Sequence, residues 1–174
     1  ILNGADKYKS FLLNVRLPIE ATDENSEFRV ADYNNDGILD LYWIKKHAGK
    51  RTEVHIMDGS NRFQSFLLQI VLPIESTNLD SNFQIGDYNG DNIPDIYWIK
   101  KQAAGRTEVH IMSGAEKYQK FLLQIRTILP SVSEDVEFGL SDYNNNGVND
   151  LYCMNKQGKN GTEVYVLNGK DRYI

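Results

Sequence analysis

A 55-residue repeat runs through the sequence and constrains its fold more than any other feature. Asp32, Asp87 and Asp142 each open an Asp-Tyr-Asn triplet, and they stand 55 residues apart. A Phe-Leu-Leu triplet that begins at Phe11 and a Thr-Glu-Val triplet that begins at Thr52 recur with the same spacing, without a gap. We therefore interpret the chain as one repeat domain, 1–174, with units 1–55, 56–110 and 111–165 and a tail, 166–174, that starts a fourth.

Each unit contains four short segments with the composition of β-strands. In the first unit they are 28–31, 39–45, 52–57 and, across the unit boundary, 63–72. Gly, Asn, Asp and Lys clusters typical of turns separate them, and no segment has the 3.6-residue stripe of a helix. The second segment is apolar on both faces, as a sheet enclosed by two neighbours requires. The sequence therefore predicts an all-β fold of four-stranded β-propeller blades, with a β-solenoid as the alternative.

The two ends of the chain are out of phase with the blades. We interpret 8–17 as the fourth strand of a preceding blade, whereas the third unit ends after a third strand, 163–167, with 173–174 beginning a fourth. Three blades are too few for a closed ring, since known propellers have ~4–8. We expect strand exchange between chain ends, either in a homodimer that forms a six-bladed ring or within a longer chain.

Each unit also carries a nine-residue loop rich in aspartate and asparagine, at 32–40, 87–95 and 142–150. Oxygen-bearing side chains occupy loop positions 1, 3, 5 and 9, and position 7 can offer its backbone carbonyl. Calcium takes about six to eight hard oxygen ligands, so we predict about one Ca²⁺ per repeat. The predicted ligands are Asp32, Asn34, Asp36, Ile38, Asp40, Asp87, Asn89, Asp91, Ile93, Asp95, Asp142, Asn144, Asn146, Val148 and Asp150.

The three loops differ in charge and in their turn residue. A single Asp/Asn cluster is usually a plain turn, but three in register favour calcium. Loops one and two hold three carboxylates each, whereas Asn146 leaves the third with two, so the third site should be weakest. Gly37 and Gly147 stand where the chain turns sharply, and Asn92, which tolerates a left-handed backbone, replaces the glycine in loop two.

At these loops the sequence resembles the FG-GAP/VCBS repeat family, the blades of integrin α-chain heads and of many secreted microbial proteins. The resemblance covers essentially the whole chain through three loops of the form Asp-x-Asn-x-Asp-Gly-x-x-Asp, from which Asn92 and Asn146 depart. It implies a β-propeller with one calcium per blade, in a secreted or cell-surface protein. Some members resemble lectins, among them a fungal propeller that binds N-acetylglucosamine and sialic acid between blades. The resemblance therefore also makes glycan binding an expectation.

Aromatic and histidine residues recur in the strands that follow the loops. Aromatic faces stack on sugar rings, and repeated sites gain avidity, so these residues are candidate glycan ligands. They are Tyr42, Trp43, Tyr97, Trp98, His55 and His110. The alternative is that the aromatics pack between adjacent blades. Cys153 replaces the tryptophan in the third unit.

Charge and motif content argue against several function classes. A net charge of −5 argues against nucleic acid as a partner. No apolar run approaches the ~20 residues of a membrane-spanning helix, so we expect no membrane insertion. No phosphate loop, zinc cluster or nucleophile elbow is present, and Cys153 has no motif partner, so we expect no enzyme. Asn160 opens an Asn-Gly-Thr triplet that fits an N-glycosylation acceptor.

These observations favour a calcium-stabilised, carbohydrate-binding lectin with sites repeated between blades. The alternatives are a calcium-dependent protein–protein interaction scaffold of integrin-head type and an accessory binding region of a larger secreted enzyme. Glycan binding predicts several equivalent sites, whereas a protein partner predicts one asymmetric patch.

Overall fold

Three antiparallel sheets make up the fold in the computed structural model, which describes residues 1–133, 135–159 and 161–174. The first sheet contains β1 (Ser26–Ala31), β2 (Asp40–Ala48), β3 (Arg51–Met57) and β4 (Phe66–Glu75). The second contains β5 (Ser81–Gly86), β6 (Asp95–Ala103), β7 (Arg106–Met112) and β8 (Phe121–Pro130), and the third β9 (Val136–Ser141), β10 (Asp150–Gly158) and β11 (Gly161–Leu167). A 3₁₀ turn spans Gly4–Asp6. The predicted glycosylation acceptor, Asn160, lies outside the described residues.

Every sheet is a meander in which strands that follow one another in sequence pair side by side. The register repeats as well: Trp43 lies opposite His55 in the first sheet, and Trp98 lies opposite His110 in the second. The predicted strands of the first unit are confirmed, with ends moved by a few residues. The fold is all-β with propeller-like blades, and the three sheets do not close into a ring.

The predicted strand at 8–17 was wrong, because only an isolated bridge between Leu2 and Phe11 forms there. The same Phe-Leu-Leu sequence forms β4 and β8, where it pairs with β3 and β7. Segment 11–20 has no such strand beside it in the described residues, so its backbone groups have no ladder to join. At the other end Tyr173 lies in a turn and does not open a fourth strand.

The core lies between blades. We call the side of each sheet that packs on the following blade its front face, and the opposite side its back face. The front faces of the first two blades carry, at matching positions, Tyr42, Ile44, Val54 and Ile56, and Tyr97, Ile99, Val109 and Ile111. The back faces that cover them carry Phe83, Ile96 and Met112, and Phe138, Leu151 and Leu167. Period-two alternation of apolar residues therefore serves two interfaces per blade.

Polar contacts tie the blades at matching positions. Lys46 Nζ donates to the Ser81 carbonyl at 2.7 Å, and the Phe83 amide donates to Glu27 Oε2 at 3.1 Å. At matching positions of the first and second blades, Arg29 Nε donates to the Phe83 carbonyl at 2.7 Å and Gln84 Nε2 donates to the Phe138 carbonyl at 3.0 Å. Because these donors and acceptors are satisfied across the interface, burying them costs little, and they fix the register between blades.

Candidate functional site

The Asp/Asn loops connect the first and second strands of each blade. In loop one the Asp36 and Gly37 amides donate to the two carboxylate oxygens of Asp32, at 3.1 and 2.8 Å. The Ile38 amide donates to Asp36 Oδ1 at 2.8 Å, and Asn34 Nδ2 donates to Asp36 Oδ2 at 3.0 Å. Side-chain oxygens therefore fold the backbone of the loop around themselves.

The left-handed backbone predicted for the loops is confirmed. Gly37 has φ +83°, Gly147 has φ +86°, and Asn92, which replaces glycine in loop two, has φ +64°. Asparagine is among the few residues with a side chain that tolerate this region, so loop two keeps the turn despite the substitution.

The last aspartate of each loop has a structural role that the sequence did not reveal. Asp40 is fully buried, and its Oδ2 accepts from the Tyr33 amide at 2.9 Å while its Oδ1 accepts from the Gly59 amide at 2.8 Å. Asp95 and Asp150 bond in the same way at their own positions. This aspartate therefore ties the loop to the turn after the third strand.

The donor chemistry of the loops fits calcium. Each loop offers carboxylate and amide oxygens and a backbone carbonyl, which are hard ligands. In loop two the pKa of Asp95 is raised to about 6, mainly by burial and to a smaller extent by the charges of Asp91 and Asp87, so a cation there would relieve mutual repulsion. In the described part of the chain no three acidic, histidine or cysteine side chains converge as in an assembled metal site.

Three clefts recur at matching positions of the repeat, between the connection that enters a blade and the second strand of that blade. The first, of about 230 Å³, is lined by Trp43, Lys45 and His47 together with residues of 20–26. The second, of about 300 Å³, is lined by Trp98, Lys100 and Gln102 together with residues of 75–81. The third, of about 290 Å³, is lined by Leu129, Pro130, Ser131, Val132, Ser133, Val136, Cys153, Asn155, Gln157 and Tyr165.

The tryptophans of the first two clefts are held in the same way. Trp98 Nε1 donates to Ser81 Oγ at 3.0 Å, its ring lies 4.9 Å from the His110 ring, and Lys100 Nζ lies 5.2 Å from its centroid. In the first blade the equivalent distances are 3.1, 5.0 and 4.9 Å. A serine, a histidine and a lysine thus surround each indole. They are distant in sequence, and only their recurrence at the same register of the repeat could have indicated the contact.

The two recurring histidines are also fully engaged. His110 Nε2 lies 3.2 Å from Glu108 Oε2, and Gln124 Nε2 lies 3.4 Å from His110 Nδ1. Burial lowers the pKa of His110 below its usual range, against the raising effect of Glu108. A neutral imidazole that accepts from Gln124 carries its proton on Nε2 and donates to Glu108. Its two nitrogens therefore serve to orient the ring against Trp98.

The structure separates the six predicted glycan ligands into two groups. Tyr42 and Tyr97 have no exposed surface, and their hydroxyls pair with those of Tyr118 and Tyr173 at 3.2 and 3.4 Å. They are core residues, so predicting them as ligands was wrong: a strand that alternates between two covered faces buries this position. Trp43, Trp98, His55 and His110 instead lie together on back faces, beside the clefts.

Two features limit the reactivity and openness of these sites. Burial raises the pKa of the Cys153 thiol to about 11, so it stays protonated at neutral pH. Trp98 also packs against the cluster between the first two blades, and Trp43 keeps only 5% of its surface exposed. The predicted alternative, packing between blades, therefore describes the tyrosines fully and the tryptophans in part.

One comparison with known proteins bears on these loops. Residues 32–98 match the family profile of the FG-GAP-like repeat. This part of the chain is an FG-GAP-like repeat. The match includes loops one and two; the third unit, outside the match, repeats their 55-residue register and their strands. No curated protein matches the chain significantly.

The matched repeat and the three sheets indicate a repeat protein with propeller-like blades. Within the residues described, no helix is both long and apolar enough to cross a membrane.

Proposed function

We propose that this FG-GAP-like repeat protein binds carbohydrate in its repeated clefts and that calcium in the Asp/Asn loops stabilises the blades. The observation that carries the proposal is the recurrence of one cleft at the same register of all three units. A volume of about 230–300 Å³ lies at or just below the lower limit of small-ligand sites, which suits one small polar ligand per blade.

The lining of the second cleft matches a ligand rich in hydroxyl groups. Glu75, Asn78 and Asp80 offer acceptors, and Asn78 and Lys100 offer donors. Lys100 Nζ lies over the indole of Trp98, where an exposed cation–π contact contributes only about 0.5–1 kcal/mol. A sugar ring that stacks on the indole would displace this ammonium, which also forms an ion pair with Glu108 Oε2 at 3.4 Å; a partly exposed ion pair of this kind contributes about 0–1 kcal/mol, so the displacement costs little.

The third cleft should bind differently, because Cys153 and Asn155 stand where the others have tryptophan and lysine. Tyr165 is the aromatic residue of this cleft. It is 45% exposed, and its hydroxyl donates to Glu163 Oε2 at 2.7 Å. We therefore expect two equivalent sites and a third of lower affinity.

Calcium would be held by positions 1, 3, 5, 7 and 9 of each loop, as the sequence predicts. When bound, the ion supplies positive charge to a cluster of carboxylates. The loop residues themselves set the turn. The last aspartate accepts a hydrogen bond from the turn after the third strand, so a rigid loop also holds that turn in place. In this proposal calcium is structural and does not contact the sugar, and the protein is non-catalytic and works outside the cell or on its surface.

A glycan array in millimolar calcium, repeated after EDTA, tests the proposal. We expect selective binding that EDTA abolishes and that free sugar inhibits. The double variant Asp23→Ala, Asn78→Ala removes an exposed polar group from each of the first two clefts and should lose most of the signal. The control is Asp58→Ala, because Asp23, Asn78 and Asp58 each accept from an amide two residues on.

The control separates loss of ligand contacts from loss of a turn. Equal loss of signal in both variants would contradict binding in the clefts. The absence of any binding by folded, calcium-loaded protein would overturn the carbohydrate proposal and favour a protein–protein interaction scaffold.

A further inference from the structure

A basic cleft of about 580 Å³ lies beside the hairpin that joins β2 to β3 in the first blade. Lys50 and Arg51 are exposed there, and in the described part of the chain neither side chain forms a hydrogen bond or an ion pair. Glu75 is the single carboxylate of the lining, which is made up of His47, Gly49, Lys50, Arg51, Glu75 and Ser76. Two cations beside one carboxylate give this cleft a positive charge.

The basic cleft adjoins both of the clefts that contain a tryptophan. His47 also lines the first cleft, and Glu75 and Ser76 also line the second. The cleft of the third blade shares no lining residue with these three. The first cleft, the basic cleft and the second cleft therefore follow one another along the hairpin end of the blades, and we call them together the hairpin groove.

Hydrogen bonds hold the floor of the hairpin groove in place. The Ser76 amide donates to the Lys50 carbonyl at 3.1 Å, and the Thr77 amide donates to the Lys46 carbonyl at 2.7 Å. Thr52, which is fully buried, donates from Oγ1 to the Glu75 carbonyl at 2.9 Å. The hairpin and the connection to the second blade are thus one rigid frame, so a ligand would not have to order them.

The free cations of the basic cleft are particular to the first blade. Gly105 takes the place of Lys50 in the second blade. Arg106, the counterpart of Arg51, donates from Nη1 to the Ile128 carbonyl at 2.8 Å and so is engaged within the protein. The second blade forms the same four strands without two free cations. The fold therefore does not require the charges of Lys50 and Arg51, which leaves them available to a ligand.

Charge alternates along the hairpin groove. Each end cleft is lined by two carboxylates and one ammonium: Glu20, Asp23 and Lys45 in the first, and Glu75, Asp80 and Lys100 in the second. Only the basic cleft between them has more cations than carboxylates. Like charges repel, so the ends favour neutral groups and the middle favours an anion.

We propose that the hairpin groove binds one linear polysaccharide in which an acidic unit lies between neutral units. The neutral units occupy the clefts of Trp43 and Trp98, and the carboxylate or sulfate of the unit between them binds Lys50 and Arg51. The planar guanidinium can donate two parallel hydrogen bonds to either anion, and the lysine adds a point charge. This inference rests on the proposed carbohydrate binding and adds to it the class of polymer and the site of its anionic group.

Calorimetry with matched acidic and neutral oligosaccharides tests the need for charge. The probes are chondroitin, hyaluronan and heparosan oligosaccharides, in which a uronate alternates with a neutral amino sugar, each beside its carboxyl-reduced form. In millimolar calcium we expect at least one acidic form to bind about tenfold more tightly than its reduced form. Chondroitin sulfate, compared with chondroitin, distinguishes sulfate from carboxylate as the preferred anion. If no acidic form is preferred, the proposal is overturned.

The double variant Lys50→Gln, Arg51→Gln tests the place of the anion. It should lose the tenfold preference for the acidic form and keep the wild-type affinity for the reduced form. Glu75→Gln should act in the opposite direction and raise the affinity for the acidic form about threefold, because it removes the carboxylate of the basic cleft.

The control is Lys117→Gln, Lys120→Gln, which removes two exposed cations from the turn after β7, at the other end of the blade. An equal loss in this control would overturn the basic cleft as the site.

Stoichiometry tests whether one oligosaccharide spans the groove. An oligosaccharide that reaches both end clefts should bind once per chain and about a hundredfold more tightly than a monosaccharide, because its second contact is intramolecular. Trp43 and Trp98 are the two tryptophans of the chain, so the remaining indole in Trp98→Phe or Trp43→Phe protein reports on one end by fluorescence. Both ends should respond with the same midpoint.

The outcomes separate this inference from the proposed function. Two oligosaccharides per chain, with independent responses at the two indoles, would overturn the spanning ligand. Monosaccharide binding in the clefts without preference for any acidic oligosaccharide would overturn this inference and leave the proposed function standing. The absence of all carbohydrate binding would overturn both.

Discussion

The second and third blades carry the same apolar pattern and differ in their surroundings. Val109 and Ile111 are fully buried in the second blade, whereas their counterparts Val164 and Val166 are 57% and 38% exposed. The second blade has four strands and a neighbour on each face; the third has three strands and one neighbour. The same apolar pattern is therefore buried only where a neighbouring blade covers it, and much of the stabilisation of a repeat lies in such interfaces.

The largest change should come from calcium removal, which acts on every loop. A ligand that binds only the folded state stabilises it by about 2.7 kcal/mol for each site held near 100 times its dissociation constant, and this is the effect that the proposed calcium would have. We expect a lower melting temperature in EDTA than in millimolar calcium, measured by circular dichroism. Magnesium at the same concentration is the control for ionic strength. A melting curve that EDTA leaves unchanged would contradict structural calcium.

Matched valine substitutions test whether the second and third blades differ in burial as described. Val109→Ala leaves a cavity in a closed interface and should lower the free energy of unfolding by about 2 kcal/mol. Val164→Ala, at the same register of the third blade, should cost less than about 0.5 kcal/mol in the monomer. Urea unfolding at low protein concentration measures both. Equal losses would show that the third face is covered in solution.

The blades can also be compared through the number of carboxylates in their calcium loops. Asn146→Asp gives loop three the same number of carboxylates as loops one and two. We expect its calcium affinity to rise about tenfold, which corresponds to ~1.4 kcal/mol. Calorimetric titration would show the weakest of three sites approaching the other two. The reverse change, Asp91→Asn, should weaken site two, and no change in either variant would contradict metal binding at position 5.

The smallest expected effect is a pH dependence in chelator. Burial raises the pKa of Asp95 to about 6 from its usual 3.8, so the folded chain keeps this proton where the unfolded chain has lost it. Between these values the Asp95 contribution to stability should decrease as pH rises, by on the order of 1 kcal/mol. Asp95→Asn should flatten this part of the pH profile in urea unfolding. A profile identical to wild type would contradict the raised pKa.

The sequence predicted the repeated features well because they are local or recur in register. Loop turns at Gly37 and Asn92 follow from backbone preference, and the strands follow from their composition. The strand predicted at 8–17 did not form because pairing depends on a distant neighbour. Tyr42 was mistaken for a ligand because the sequence, which predicts that both faces of this strand are covered, does not show which of its aromatic residues lie beside a cleft. The hydrogen bond from the Gly59 amide to Asp40 was not predicted, because the two residues are 19 positions apart and meet only in the folded blade.

The stoichiometry of sugar binding tests the central claim, that one cleft is repeated along the chain. Calorimetry with a monosaccharide identified on the array, in millimolar calcium, would count the sites per chain. We predict two equivalent sites, for the clefts of Trp43 and Trp98, and a weaker third at Tyr165. A single site per chain, or binding that persists unchanged in Asp23→Ala, Asn78→Ala protein, would contradict the account.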